Sequence, residues 1–330
     1  MSKIEFIFHK NIYCEANIQE YENFFKGFNF TWNLFDEELL FSSCVVSEKI
    51  IDSHYIQEIE NAKKQLVLLP NNESLKNYLN ELKSQKGKHT HWHIKICFVA
   101  ESENYIDNDD LFFEDEYEEN IKRCILAIVM SILLANPKLD IGCAFTDTYV
   151  NDRFYKKEIF INTPIQNDAV HEFPELFSPE IKVSKVMDWI KKYTNLHDTS
   201  LNTPIAFLSL TYVLNRHYHE SLLYSIIGLE SIFVPESKGH SFLLQKRLNY
   251  IFSDIAKGRI KDMYNLRSKF VHGEFEMGAC PLLVEIIFNE DDIKDTVFLA
   301  TALLLESLRI LVLHDATEIK FNETISHSFK

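Results

Sequence analysis

The clearest periodic pattern in the first half of the chain is strict alternation in His91–Phe98. Trp92, Ile94, Ile96 and Phe98 fall on one side, and His91, His93, Lys95 and Cys97 on the other. A period of two marks a strand with one buried face. Phe28–Trp32 and Leu39–Val46 are short runs rich in aromatic or β-branched residues and read as further strands. Helices are expected over Glu58–Leu68 and Ser74–Lys83, and an apolar helix over Ile121–Ala135.

The pattern changes after Asn162–Pro179, where Pro164, Pro174 and Pro179 stand among polar residues and mark a connector and domain boundary. Beyond it the chain is helical. Glu180–Tyr193 is one helix. Thr203-Pro204 opens another that runs to about Asn215, with Thr as N-cap and Pro in first position. Tyr218–Phe233 carries the apolar stripe Leu222, Leu223, Ile226, Leu229 and Phe233 and stops at Pro235. Ser241 caps a helix whose inward residues are Leu244, Leu248, Ile251 and Phe252. Gly258 precedes Arg259–Val271, which Gly273 closes, and Asp291–His314 ends the series. Helices with modest connections read as a bundle. The expected fold is α+β: a mixed β-containing sensing or regulatory domain over 1–175, then an all-α bundle over 176–330.

Composition narrows the classes. A chain of 330 residues fits about two domains, and 46% hydrophobic with 25% charged residues is the globular balance rather than the disordered one. The net charge of −15 excludes a protein that binds polyanions over its whole surface. Cys14, Cys44, Cys97, Cys124, Cys143 and Cys280 are widely spaced, with no zinc or CxxC pattern, as expected of reduced thiols in a cytoplasmic protein. MSKIEFIFHK lacks the apolar core of a signal peptide. Cys124–Ala135 would span only ~18 Å as a helix against a ~30 Å hydrocarbon core. Val297–Leu313 carries Glu306 and Arg309 and reads as an amphipathic soluble helix, so no membrane span is expected.

The stretch that carries chemistry is Tyr264–Gly273, YNLRSKFVHG. Arg267 is followed by four residues and then His272. This resembles the R-x4-6-H motif of the HEPN superfamily of α-helical bundles. With Tyr264, Ser268 and Gly273 around it, the stretch looks most like the Apea-like HEPN branch. Gly228-Leu229-Glu230 is similar to that branch's Leu-Glu signature on an early helix, and Gln245-Lys246-Arg247-Leu248 to its Arg before an apolar turn. The resemblance covers roughly 200–315. Ser268 stands where many HEPN ribonucleases have Asn, His or Asp, so it is treated as accessory, together with Glu230 and Tyr264.

The resemblance implies a metal-independent RNA endonuclease without cofactor, acting as a homodimer in which Arg267 and His272 of both protomers form one site. It further implies a role in prokaryotic defence of the abortive-infection type; RNA is the expected substrate, and an antitoxin or a phage-derived trigger are the candidate partners. The chemistry agrees. Cleaving RNA at its own 2′-hydroxyl needs a proton acceptor, a cation for the phosphorane and a proton donor to the leaving 5′-oxygen. Histidine titrates near neutral pH and serves as acceptor or donor, and arginine offers a fork that matches phosphate oxygens. Acid and base together want two imidazoles, which a two-fold interface supplies by placing the same patch of two chains face to face. Positions five apart lie ~140° apart on a helix, so the pair shares a face only if the helix ends near His272.

Local charge fits such a site. Lys238–Lys269 holds eight cations against Asp254 and Asp262, +6 within a chain of −15. Lys246, Arg247, Lys261 and Lys269 are the candidate RNA contacts, and Tyr250 and Tyr264 are core aromatics that could otherwise stack on bases. Glu230 could orient Arg267 or Arg247, or fix the bundle as a buried ion pair.

Other features are weaker. His89, His91 and His93 share a strand face, which zinc binding or plain exposure would explain. His217 and His219 read as surface or capping residues. Glu101–Asn120, with ten acidic residues and no Lys or Arg, reads as a solvated segment that could occlude the basic patch. No GxSxG, Walker A, GxGxxG or HExxH motif is present. The remaining readings of the bundle are a non-catalytic module binding nucleotide, RNA or a protein partner, and the toxin of a toxin–antitoxin pair.

Overall fold

The computed structural model describes residues 2–12, 16–34, 37–51, 53–68, 73–84, 90–103, 115–140, 145–158, 164–194, 202–214, 218–234, 240–253, 255, 257–272 and 290–321. The chain divides into two units, 1–121 with 143–160 and 122–142 with 161–330. The class is α+β: an antiparallel sheet with its helices, and a helical unit.

The sheet unit contains β1 (Ser2–Ile12), α1 (Ala16–Phe25), β2 (Asn29–Leu34), β3 (Glu37–Ile51), α2 (Ser53–Leu68), α3 (Glu73–Ser84), β4 (Thr90–Ser102), β5 (Phe145–Val150) and β6 (Arg153–Glu158). The six strands are antiparallel in the order β2-β3-β4-β1-β5-β6. The three expected strands are present as β2, β3 and β4. The alternation of β4 holds in part: Ile94, Ile96 and Phe98 are buried and Lys95 is exposed, but Trp92 and His93 are both half-buried and Cys97, expected on the open face, is buried as well. The buried face is a phenylalanine cluster in which Phe41 stacks on Phe6 and Phe30, while Phe98 meets Phe8, Phe25, Phe28 and Phe30 edge-on. Such contacts add to the burial of these large rings.

Sequence reasoning missed β1, which lies at the sheet centre and buries Ile4, Phe6, Phe8 and Ile12. It missed the β5–β6 hairpin too. Asn151 and Asp152 both have positive φ, 53° and 60°, the backbone of a two-residue turn matched to strand twist. The Asn151 side chain accepts the Lys3 N–H at 3.0 Å, and Lys3 Nζ reaches Asp152 at 3.1 Å, tying the turn to β1.

The helical unit contains most of α4 (Asp115–Ala135), then α5 (Pro164–Glu172), a 3-10 turn (Pro174–Leu176), α6 (Val183–Tyr193), α7 (Asn202–Val213), α8 (Tyr218–Phe233), α9 (His240–Ile251), α10 (Lys257–Val271) and α11 (Glu290–Leu313). The boundary therefore falls at 160/161 rather than 175, and 122–142 joins the helical unit. Asn162–Pro179 is not a bare connector. Its described part forms α5, packed on α11, and the 3-10 turn. Thr203 and Ser241 lie inside the first turns of α7 and α9 rather than at their caps, and the Thr203 hydroxyl donates to the Thr317 carbonyl.

Helix α11 corrects another expectation. It is not amphipathic: Glu306 is 2% and Arg309 0% exposed. Arg309 Nε donates to Glu306 Oε2 at 2.8 Å, and its other nitrogens bond the carbonyls of Leu134, Ala135, Ser178 and Pro179. Glu306 in turn accepts from the Ser178 N–H and hydroxyl. The ion pair thus clamps α11 to the end of α4 and to residues 178 and 179 before α6. By length and composition Lys294–Leu313 could cross a bilayer, but most of it is buried within the protein.

Candidate functional site

The residues singled out by the sequence lie on α8, α9 and α10. Helix α8 is drawn close to its neighbours by Gly228: a Cβ there would lie 2.6 Å from Leu304 Cδ1 of α11 and 3.1 Å from Ser209 Cβ of α7. Two residues on, Glu230 faces α10. Ile260 and Met263 anchor the first half of α10 in the core. From Tyr264 onward no described residue of α10 is fully buried, so its second half stands at the surface.

Three side chains there act as one group. The Tyr264 phenol lies within electrostatic reach of the Glu230 carboxylate, and the Arg267 guanidinium lies 5.7 Å from the Tyr264 ring centroid. Burial, then the Glu230 charge, pushes the Tyr264 phenol above its ordinary value of 10. It therefore keeps its proton beside Glu230. The ring holds Arg267 by a cation–π contact. Glu230 thus acts on Arg267 through Tyr264, and Arg267 is half-buried.

His272 follows the last helical residue, Val271, and its N–H still donates to the Ser268 carbonyl at 3.0 Å. The backbone thus continues one helical step past the assigned end, and His272 is exposed while Arg267 and Ser268 are half-buried. Gly273, expected to close the helix, lies outside the described residues.

The basic patch is smaller than its composition. Lys246, Lys261 and Lys269 are exposed. Arg247 is not an RNA contact: it is 7% exposed, donates to the Phe233 carbonyl at 2.6 Å and sits over the Phe321 ring at 4.8 Å. Its role is to cap the end of α8. The signal was available, because Arg247 lies three residues after Leu244 and four before Ile251, on the same helical stripe as Leu248. Arg259 pairs with Asp295 at 2.5 Å and covers Phe173. Lys238 lies outside the described residues, as does the Lys257 side chain. Tyr250 overturns its core expectation at 79% exposed, beside Lys246 on α9.

Other candidates resolve as follows. His93 bonds His9 at 3.0 Å, and His9 bonds Asp147 at 3.1 Å, a chain across β4, β1 and β5. His89 and the His91 side chain lie outside the described residues, as do His217, the His219 side chain and residues 104–114 of the acidic segment. Among the described residues no group of three or more His, Cys, Asp or Glu side chains is placed to hold a metal ion. No family model, curated protein or solved structure matches the chain.

Proposed function

We propose that the chain is a HEPN-type RNA endonuclease of prokaryotic defence, active as a homodimer and independent of metal. The observation that carries this reading is the surface half of α10, where a cation held by Tyr264 and Glu230 precedes an exposed imidazole at the helix end. Arg267 binds the phosphate oxygens and stabilises the phosphorane. One His272 takes the 2′-hydroxyl proton and the partner protomer's copy protonates the leaving 5′-oxygen, leaving a 2′,3′-cyclic phosphate. Exposed Lys246, Lys261 and Lys269 contact the RNA backbone, and Tyr250 offers a ring for an unstacked base. Tyr264 and Glu230 position Arg267, and Ser268 is accessory.

The test is induced expression in a bacterial host. Wild type should arrest growth, with cellular RNA cut, and Arg267→Ala or His272→Ala should each relieve the arrest at equal protein level. Arrest that persists undiminished in both variants contradicts the assigned site. No arrest and no RNA cleavage by wild type, with tight RNA or nucleotide binding, returns the bundle to a binding module.

A further inference from the structure

The face of the sheet opposite the phenylalanine cluster carries a pair of cysteines. In the antiparallel β3–β4 ladder Cys44 stands directly opposite Cys97. Directly opposed residues have Cβ atoms about 4.5–5.5 Å apart, and a disulfide needs about 3.5–4.5 Å, so closure takes a shift of roughly one ångström. The two thiols differ in access: Cys44 is exposed, whereas Cys97 is 6% exposed in the middle of the sheet, with Ile7 of β1 opposite it on its other side.

We propose that Cys44 and Cys97 form a cross-strand dithiol that a small-molecule disulfide of the glutathione type oxidises to an intrachain disulfide. Access sets the order of events. The Cys44 thiolate attacks one sulfur of the reagent, its S–S bond breaks, and one thiolate leaves. Cys44 is then joined to the other half of the reagent. Cys97 loses its proton to solvent, attacks the Cys44 sulfur and expels the second thiolate. Two protein thiols are oxidised by two electrons and one reagent disulfide is reduced to two thiols. Cys97 is the slow partner, since burial, then Cys44 and Glu5, push its thiol up to about 12, with Lys95 pulling against them. Conversion of Cys44 to a mixed disulfide removes the Cys44 charge from that set, so the first step eases the second. The product ties the edge-side strand β3 to the central β4 and makes the sheet unit responsive to the thiol–disulfide balance.

The experiment treats the full-length reduced protein with glutathione disulfide, quenches in acid, alkylates under denaturing conditions and reads intact mass and a peptide map. Wild type should lose two hydrogens, with the Cys44 and Cys97 peptides cross-linked and released together by dithiothreitol. Cys97→Ser should stop at one glutathionyl group on Cys44, and Cys44→Ser should leave Cys97 free. Buried Cys124 is the internal control and should stay alkylatable only after unfolding. A wild type that stops at the same single adduct as Cys97→Ser, or that leaves Cys44 unmodified, overturns the proposal. Should Cys97→Ser fail to fold, Cys97→Ala serves, and the wild-type map alone still decides.

Discussion

Replacing Arg309 by alanine removes the clamp at the centre of the helical unit. The guanidinium is fully buried, is paired with Glu306, and supplies donors to four backbone carbonyls, those of Leu134, Ala135, Ser178 and Pro179. Breaking one buried ion pair by deleting a partner costs about 3–5 kcal/mol, because the remaining charge is left without compensation. Carbonyls stripped of their donors place this site in the upper half of that range, about 4–5 kcal/mol. For a unit of this size each kcal/mol moves the midpoint by about 2–4 °C, so the expected fall is about 8–20 °C. Glu306→Gln is the comparison. It breaks the same buried pair but keeps an acceptor for Ser178 and leaves Arg309 its four carbonyls, so it should fall in the lower half of that range, about 3–4 kcal/mol. Differential scanning calorimetry, with urea titration as a check, reads both. A loss below about 1 kcal/mol in Arg309→Ala, or equal losses in the two variants, refutes the clamp.

Further outcomes follow from the same contacts. Gly228→Ala should cost about 1–3 kcal/mol by thermal unfolding, because the new methyl meets Leu304 and Ser209; a neutral result means the α7–α8–α11 contact yields easily. Lys261→Ala and Lys269→Ala should each lower the salt dependence of single-stranded RNA binding by about 0.7 in log–log slope. Arg247→Ala should instead lower the melting temperature and leave that slope alone; the reverse restores Arg247 to the RNA surface. His9 has its pKa lowered, first by burial, against the pull of Asp147. Below the ordinary 6.5 the unfolded chain then binds more protons than the folded one. The sheet unit should therefore lose stability as pH falls from 6.5 through the lowered value, and His9→Gln should flatten that part of a melting-temperature profile; an unchanged profile refutes the assignment.

Much of this was legible from residue order where burial is one-sided. The alternation of His91–Phe98 and the stripe of Tyr218–Phe233 each match an element, because a half-buried element must segregate its residues. What escaped was decided by tertiary partners. β1 is interrupted by Lys3, Glu5, His9 and Lys10 and looks weak alone, yet β4 pairs it along its whole length and β5 from Ile4 to His9. Glu306 and Arg309 mark an exposed face on a helix considered by itself. Only α4 and Ser178 turn them into a core contact. In the candidate site, Arg267, His272 and Tyr264 were found by spacing, but the approach of Glu230 to Tyr264 joins residues on two helices and no local pattern encodes it. Arg247 was assigned by charge, although its stripe position pointed inward.

The most direct test is cleavage of a single-stranded RNA by the purified protein in chelator, with the product ends identified. Wild type should yield 2′,3′-cyclic phosphate and 5′-hydroxyl ends, with Arg267→Ala and His272→Ala slower by a hundredfold or more. Cleavage at wild-type rate in both variants, or product carrying a 5′-phosphate, would contradict the assignment.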